Sequence, residues 1–133
     1  MLEPVLKRIM LMREPVEIDD FKLGACAYIG ENNKDGADYF YFKLVTPKRI
    51  IKLLNENKII DGRATFIVNE ADMESNLELV KTEINKILQD CARPTWDEVT
   101  QVINRYLEWE YNNTIYLNEE DLLKMVKKSN KDN

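Results

Sequence analysis

The sequence contains no histidine. A His-based catalytic triad, imidazole general-base catalysis and a His-ligated metal are therefore excluded. The two cysteines, Cys26 and Cys91, are too far apart for the CxxC spacing of a zinc or redox motif. Each sits beside alanine or at an apolar helical position, so two buried thiols in a reducing compartment are expected, not a disulfide. Gly24, Gly30, Gly36 and Gly62 are scattered over turns and one strand, and no phosphate-binding loop can be drawn from them. No apolar run reaches the ~18 residues of a membrane span, and the N-terminus lacks the layout of a signal peptide. The expected location is the cytoplasm.

What is present suits one soluble domain. A chain of 133 residues with 44% apolar and 32% charged residues can build a single core without metal or disulfide support. The expected division is one domain over residues 1–128 and a disordered tail over 129–133. The most organised stretch is residues 38–54, DYFYFKLVTPKRIIKLL. Its aromatic and aliphatic run reads as a strand buried on both faces, with Phe40, Phe42 and Leu44 on one side and Tyr39, Tyr41, Lys43 and Val45 on the other. Thr46 is placed to cap a helix, Pro47 suits the first helical position, and Ile50, Ile51, Leu53 and Leu54 recur at helical spacing. That helix is expected to cover the strand's apolar side.

Around this unit the remaining elements follow from periodicity. Residues 4–13 alternate as a first strand, with Val5, Ile9 and Leu11 on one side and Leu6, Met10 and Met12 on the other. Phe21, Leu23, Ala25, Ala27 and Ile29 share one face of a second strand, and the turn GENNKDG at 30–36 joins it to the third as a hairpin. A fourth strand is expected over 63–68. Asn69 is placed to cap a long helix whose stripe is Leu77, Val80, Ile84, Ile87, Leu88 and Cys91. Thr95 and Glu98 form a capping-box pattern, opening a short helix that carries Trp96, Val99, Val102, Ile103 and Tyr106 inward. Residues 107–111, LEWEY, switch to period two. Leu107, Trp109 and Tyr111 would then face the core, with Glu108 and Glu110 together in solvent about 7 Å apart. Asn118 followed by acids reads as the start of a terminal helix bearing Leu122, Leu123 and Val126.

Charge is concentrated late in the chain. Asp97, Glu98, Glu108, Glu110, Glu119, Glu120 and Asp121 stand against Arg105 alone, so this segment outweighs the net charge of -5. Such a surface repels phosphate backbones, which argues against nucleic-acid binding, and it attracts a basic protein. Asp97, Glu98, Glu108, Glu110, Tyr111, Glu119 and Glu120 are the candidate partner-binding residues. If strands 39–45 and 107–111 are neighbours, Tyr39, Tyr41, Trp109 and Tyr111 would add aromatic anchors. As a catalytic carboxylate pair Glu108 and Glu110 are poor candidates, since nothing nearby would raise a pKa. The acids at 119–121 lack the glycine-bearing loop of a calcium site. No catalytic, cofactor-binding or metal-ligating residue is assigned.

The order of motifs resembles the immunity protein 8 family of bacterial polymorphic toxin systems. The resemblance is carried by Phe21 with Tyr28-Ile29-Gly30, the loop closing on Gly36, and Asp38-Tyr39-Phe40-Tyr41-Phe42. It continues through Thr46-Pro47 with its helix, residues 62–68, Thr95-Trp96-Asp97-Glu98-Val99, and Arg105-Tyr106 with Trp109-Glu110-Tyr111. It covers roughly residues 1–111; residues 113–133 lie outside the pattern. The resemblance implies a small α+β immunity protein that binds and blocks a cognate toxin domain in the cell that makes it and needs no catalytic residue. No cofactor is expected, and monomer and weak dimer are both left open. The expected architecture is a mainly antiparallel sheet with two or three helices packed on one face, plus a C-terminal helix. The alternative is a regulatory or adaptor protein that binds a host-cell protein. Toxins delivered between bacteria often have basic clefts, to which an acidic inhibitor would be drawn.

Overall fold

The computed structural model describes residues 1–111. Strands β1 (Pro4–Leu11), β2 (Lys22–Glu31) and β3 (Asp38–Val45) form an antiparallel meander. The turn between β2 and β3 closes where Gly36 takes φ +90, and a Cβ on Gly30 would collide with the Gly36 carbonyl oxygen. Both glycines are therefore required by backbone geometry. Helix α1 (Pro47–Asn57) returns the chain so that β4 (Thr65–Ile67) runs parallel to the C-terminal half of β3. Helices α2 (Met73–Gln89) and α3 (Trp96–Ile103) follow. The last strand, β5 (Glu108–Trp109), pairs antiparallel with the N-terminal half of β3. Since β2 occupies one edge of β3, β4 and β5 share the other end to end, and the five-stranded sheet is mixed and mostly antiparallel. The α+β class with helices packed on one face is as expected; the terminal helix and the tail lie outside the described residues.

The core lies between one sheet face and α2 with α3. Phe21, Leu23, Ala25, Ala27, Ile29, Phe40, Phe42 and Leu44 meet Val80, Ile84, Leu88, Val99, Val102 and Ile103. The stripe on α2 is thus the helical stripe read from periodicity, with Leu77 and Ile87 half-buried at its margin. Cys26 and Cys91 are both buried free thiols.

Several local expectations are corrected. Helix α1 buries no residue fully, and Ile51 (61% exposed) and Leu54 (41%) face outward; α2 and α3 cover the sheet instead. Thr46 occupies the N-cap position but makes no side-chain cap bond. Its buried Oγ1 accepts from the Phe21 amide at 3.0 Å and donates to the Phe21 carbonyl at 3.4 Å, tying the end of β3 to the entry of β2. The cap of α2 is Asp72, not Asn69: Asp72 Oδ1 accepts from the Ser75 amide at 2.7 Å. A bulge between Leu6 and Arg8 breaks the alternation of β1, so Leu6 joins Ile9 and Leu11 against the core. Tyr106 lies past the end of α3 and is half exposed.

Candidate functional site

Two acid-bearing segments, the start of α3 and the β5 segment, each send side chains to the start of β3. At the first turn of α3, Thr95 Oγ1 accepts from the Glu98 amide at 3.2 Å and donates to Glu98 Oε2 at 2.7 Å. The capping box is therefore closed side chain to side chain, where a bond back to the Thr95 amide was expected. Asp97 Oδ2 accepts from Gln101 Nε2 at 3.0 Å. Both carboxylates are exposed at a helix N-terminus, where the helix dipole favours negative charge.

The second segment is β5 and the residues after it. Alternation over 107–111 promised a longer strand, but only Glu108 and Trp109 pair with β3, and residues 110 and 111 turn helical. Glu110 is consequently not a plain solvent-facing acid. It is half-buried, and its Oε2 accepts from the Tyr39 amide at 2.8 Å, satisfying β3 where β5 has ended. Glu108 pairs with Tyr41 and is also half-buried. Tyr111 does not enter the core: it is exposed, and its ring meets Trp109 edge-on at 5.4 Å.

The two segments meet at a residue that sequence reasoning did not single out. Asp38 Oδ2 accepts from Trp96 Nε1 at 3.2 Å and from Trp109 Nε1 at 3.0 Å. A cleft of about 260 Å³ beside it is lined by the 30–37 turn, with Glu31, Lys34 and Asp35, together with Asp38 and Trp96. An acid placed directly before an aromatic strand was the available signal; its partners could not be read, because they lie far along the chain.

Strands 39–45 and 107–111 are neighbours, as the aromatic grouping required, but they do not present all four rings together. Trp109 stands opposite Phe40 and packs on the core side. Tyr39 and Tyr41 emerge on the opposite sheet face with Met10 and Met12, all at least partly exposed. There Tyr39 lies 4.6 Å from Tyr28, over which the Arg8 guanidinium sits at 4.5 Å. The neighbouring Tyr28 chiefly, then burial and the Glu110 charge, hold the Tyr39 phenol above its ordinary pKa. For Tyr41 burial is the main cause of the same upward shift. These phenols stay neutral and can donate hydrogen bonds at physiological pH.

Of the candidate binding residues, Asp97 and Glu98 follow Trp96 in the first turn of α3, and Glu108, Glu110 and Tyr111 adjoin Trp109, with Glu108 opposite Tyr41 on the sheet face away from Trp109; Glu119 and Glu120 lie outside the described residues. Among the described residues no group of three acids or cysteines is placed to hold a metal, and no helix is long and apolar enough to cross a membrane.

Exposed acids and phenols on a rigid α+β frame are the chemistry of a protein-binding module. The sequence profile of the immunity protein 8 family matches residues 7–114, and the chain belongs to that family. It is thus one of a family of immunity proteins against toxins. Searches of the curated proteins and of the solved structures find no match to the chain.

Proposed function

We propose that this protein binds and neutralises a cognate bacterial toxin domain in the cytoplasm of the cell that produces it, without catalysis of its own. The contact surface is anionic: Asp97 and Glu98 from α3, Glu108 and Glu110 with Tyr111 from the β5 segment, and Glu119 and Glu120 beyond it. The observation that carries this reading is membership of an immunity family, together with exposed acids at the start of α3 and acids beside Trp109 in β5. A toxin with a basic cleft, such as a nuclease, is the fitting partner, because opposite charge speeds encounter and sets orientation.

Calorimetry between the full chain and the toxin domain encoded beside its gene tests this at low and at high salt. Tight binding that weakens as salt rises is the expected result, since exposed charge pairs are screened within about 8–10 Å at physiological ionic strength. Tight binding indifferent to salt would leave immunity standing and remove the acidic surface from it. Absence of binding would overturn the toxin reading.

A further inference from the structure

Helices α2 and α3 cover one face of the sheet, and among the described residues the other face is left open. Residues directly opposite each other in a ladder share a face. Met10, Cys26, Tyr41 and Glu108 therefore form one row across the open face. Met12, Gly24 and Lys43 form the next. Because Gly24 has no side chain, the second row is interrupted. A groove of about 180 Å³ lies there, lined by Met12, Tyr41 and Lys43 with Ala64 and Glu108. Met10, Met12, Tyr39 and Tyr41 are exposed around it.

We propose that the open sheet face docks the cognate toxin domain, with one apolar side chain of that domain seated in the groove over Gly24; this rests on the reading of the chain as a toxin binder. Contiguous exposed apolar side chains mark interaction sites, and Tyr and Met are among the residues enriched there. The side chains that carry most binding energy sit in small pockets with such walls. Charge completes the description of the partner. One end of the groove is cationic: Lys43 lines it, Lys22 is the next open-face position along β2, and the Arg13 guanidinium bonds the Lys22 carbonyl at 3.3 Å. None of these three forms an ion pair among the described residues. The fitting patch on the toxin is thus an apolar side chain with carboxylates beside it, the opposite sign to these cations.

The test is calorimetry between full-length chains and the toxin domain encoded beside the gene. A Cβ at Gly24 would meet only the Met12 side chain, 3.2 Å from Cγ, and Gly24 is not among the positive-φ residues. Valine also suits a strand better than glycine does. Gly24→Val therefore fills the groove and keeps the fold, with a urea midpoint at or above that of wild type. Affinity falls by about tenfold or more as the anchor is shut out. Met12→Glu and Met12→Lys remove the same exposed side chain and differ in sign. Met12→Glu binds about tenfold or more weaker than Met12→Lys, because it sets an acid against the acids of the toxin. Should Gly24→Val fail to fold, the Met12 pair decides the matter.

Wild-type affinity in folded Gly24→Val overturns the proposal, and so does a Met12→Lys variant that binds no better than Met12→Glu. Magnetic-resonance contacts between the Met10 or Met12 methyls and residues beyond 111 in the free chain would put the chain's own C-terminal segment on this face and overturn it. A dimer in sedimentation that Gly24→Val dissociates would put a second copy there, with the same result. A wild-type chain that does not bind the toxin domain refutes the toxin reading, and this inference falls with it. Wild-type binding with unaffected variants refutes this inference alone.

Discussion

Thr46 offers the sharpest test of the fold, because two readings of one residue predict opposite signs. As a helix N-cap it would be improved, or left unchanged, by Asp or Asn, which rank above Thr at that position. In the structure it is a buried strand tie: fully enclosed, with Oγ1 on the Phe21 amide at 3.0 Å. Thr46→Val keeps the shape and leaves that amide without a partner. The Phe21 carbonyl is still served by the Thr46 amide at 3.0 Å, so the change orphans a single buried donor. An unsatisfied buried donor costs about 1–3 kcal/mol. For a chain of this length that lowers the thermal midpoint by roughly 5–10 °C. Thr46→Ser keeps the hydroxyl and should lose only about 1 kcal/mol for the missing methyl. Thr46→Asp would put a carboxylate at a fully enclosed position while Arg49 and Lys52 of α1 are already engaged by Asp20, and should cost several kcal/mol. Thermal melts supply the totals, and hydrogen exchange at the Phe21 amide supplies the location. A Thr46→Asp variant as stable as wild type, or a Thr46→Val variant that frays α1 while the Phe21 amide stays protected, would refute the strand-tie account.

Four further outcomes are expected. Bonds from Lys52 and Arg49 hold the nearly enclosed Asp20 carboxyl below its usual range, so its contribution is present at neutral pH and disappears as pH falls below about 4. Asp20→Asn should therefore be less stable than wild type at pH 7 and converge on it in acid, as read from denaturant melts across pH. Glu110→Lys removes the acceptor of the Tyr39 amide and should cost about 1–2 kcal/mol of stability as well as affinity, so urea melts must accompany any binding measurement on it. Phe40 is fully buried where β2, β3 and β5 meet, and Phe40→Ala should lose ~3–5 kcal/mol in the same melts. Burial pushes both cysteine thiols up, so a thiol-reactive dye should label neither Cys26 nor Cys91 until denaturant is added.

The parts of the fold legible in the sequence are those set by local rules. The β2–β3 hairpin follows from a glycine-bounded turn between two alternating runs, and α3 begins where Thr95 and Glu98 say it should. What failed had a non-local cause. The pattern of Ile50, Ile51, Leu53 and Leu54 shows that α1 has an apolar face, but periodicity does not say which element receives it. The sheet was already covered by α2 and α3, whose core residues lie 26 to 53 positions beyond that pattern. In β1 a single bulged position turned Leu6 to the core, a change of register that alternation alone cannot display. Residues 107–111 alternate as a strand would, yet β4 takes β3 from Lys43 on, and after Trp109 the chain turns helical while the Glu110 carboxylate serves the Tyr39 amide in place of a strand partner.

The candidate site divides along the same line. Its acids were visible as a run of charge, because composition along the chain is a local property. The residue that joins them was not, because Asp38 acquires its role from donors 58 and 71 positions away. Those donors also explain why a count of charge is a poor guide to what the surface recognises. Asp97 and Glu98 ride on α3, which its buried Val99, Val102 and Ile103 hold against the sheet, and Glu110 is held at the start of β3 by the Tyr39 amide. Both tryptophans end on one oxygen of Asp38, and the Glu110 carboxylate ends on the Tyr39 amide. In the proposed complex, net charge would govern how fast a basic partner is drawn in, and the placement of each acid which partner stays bound.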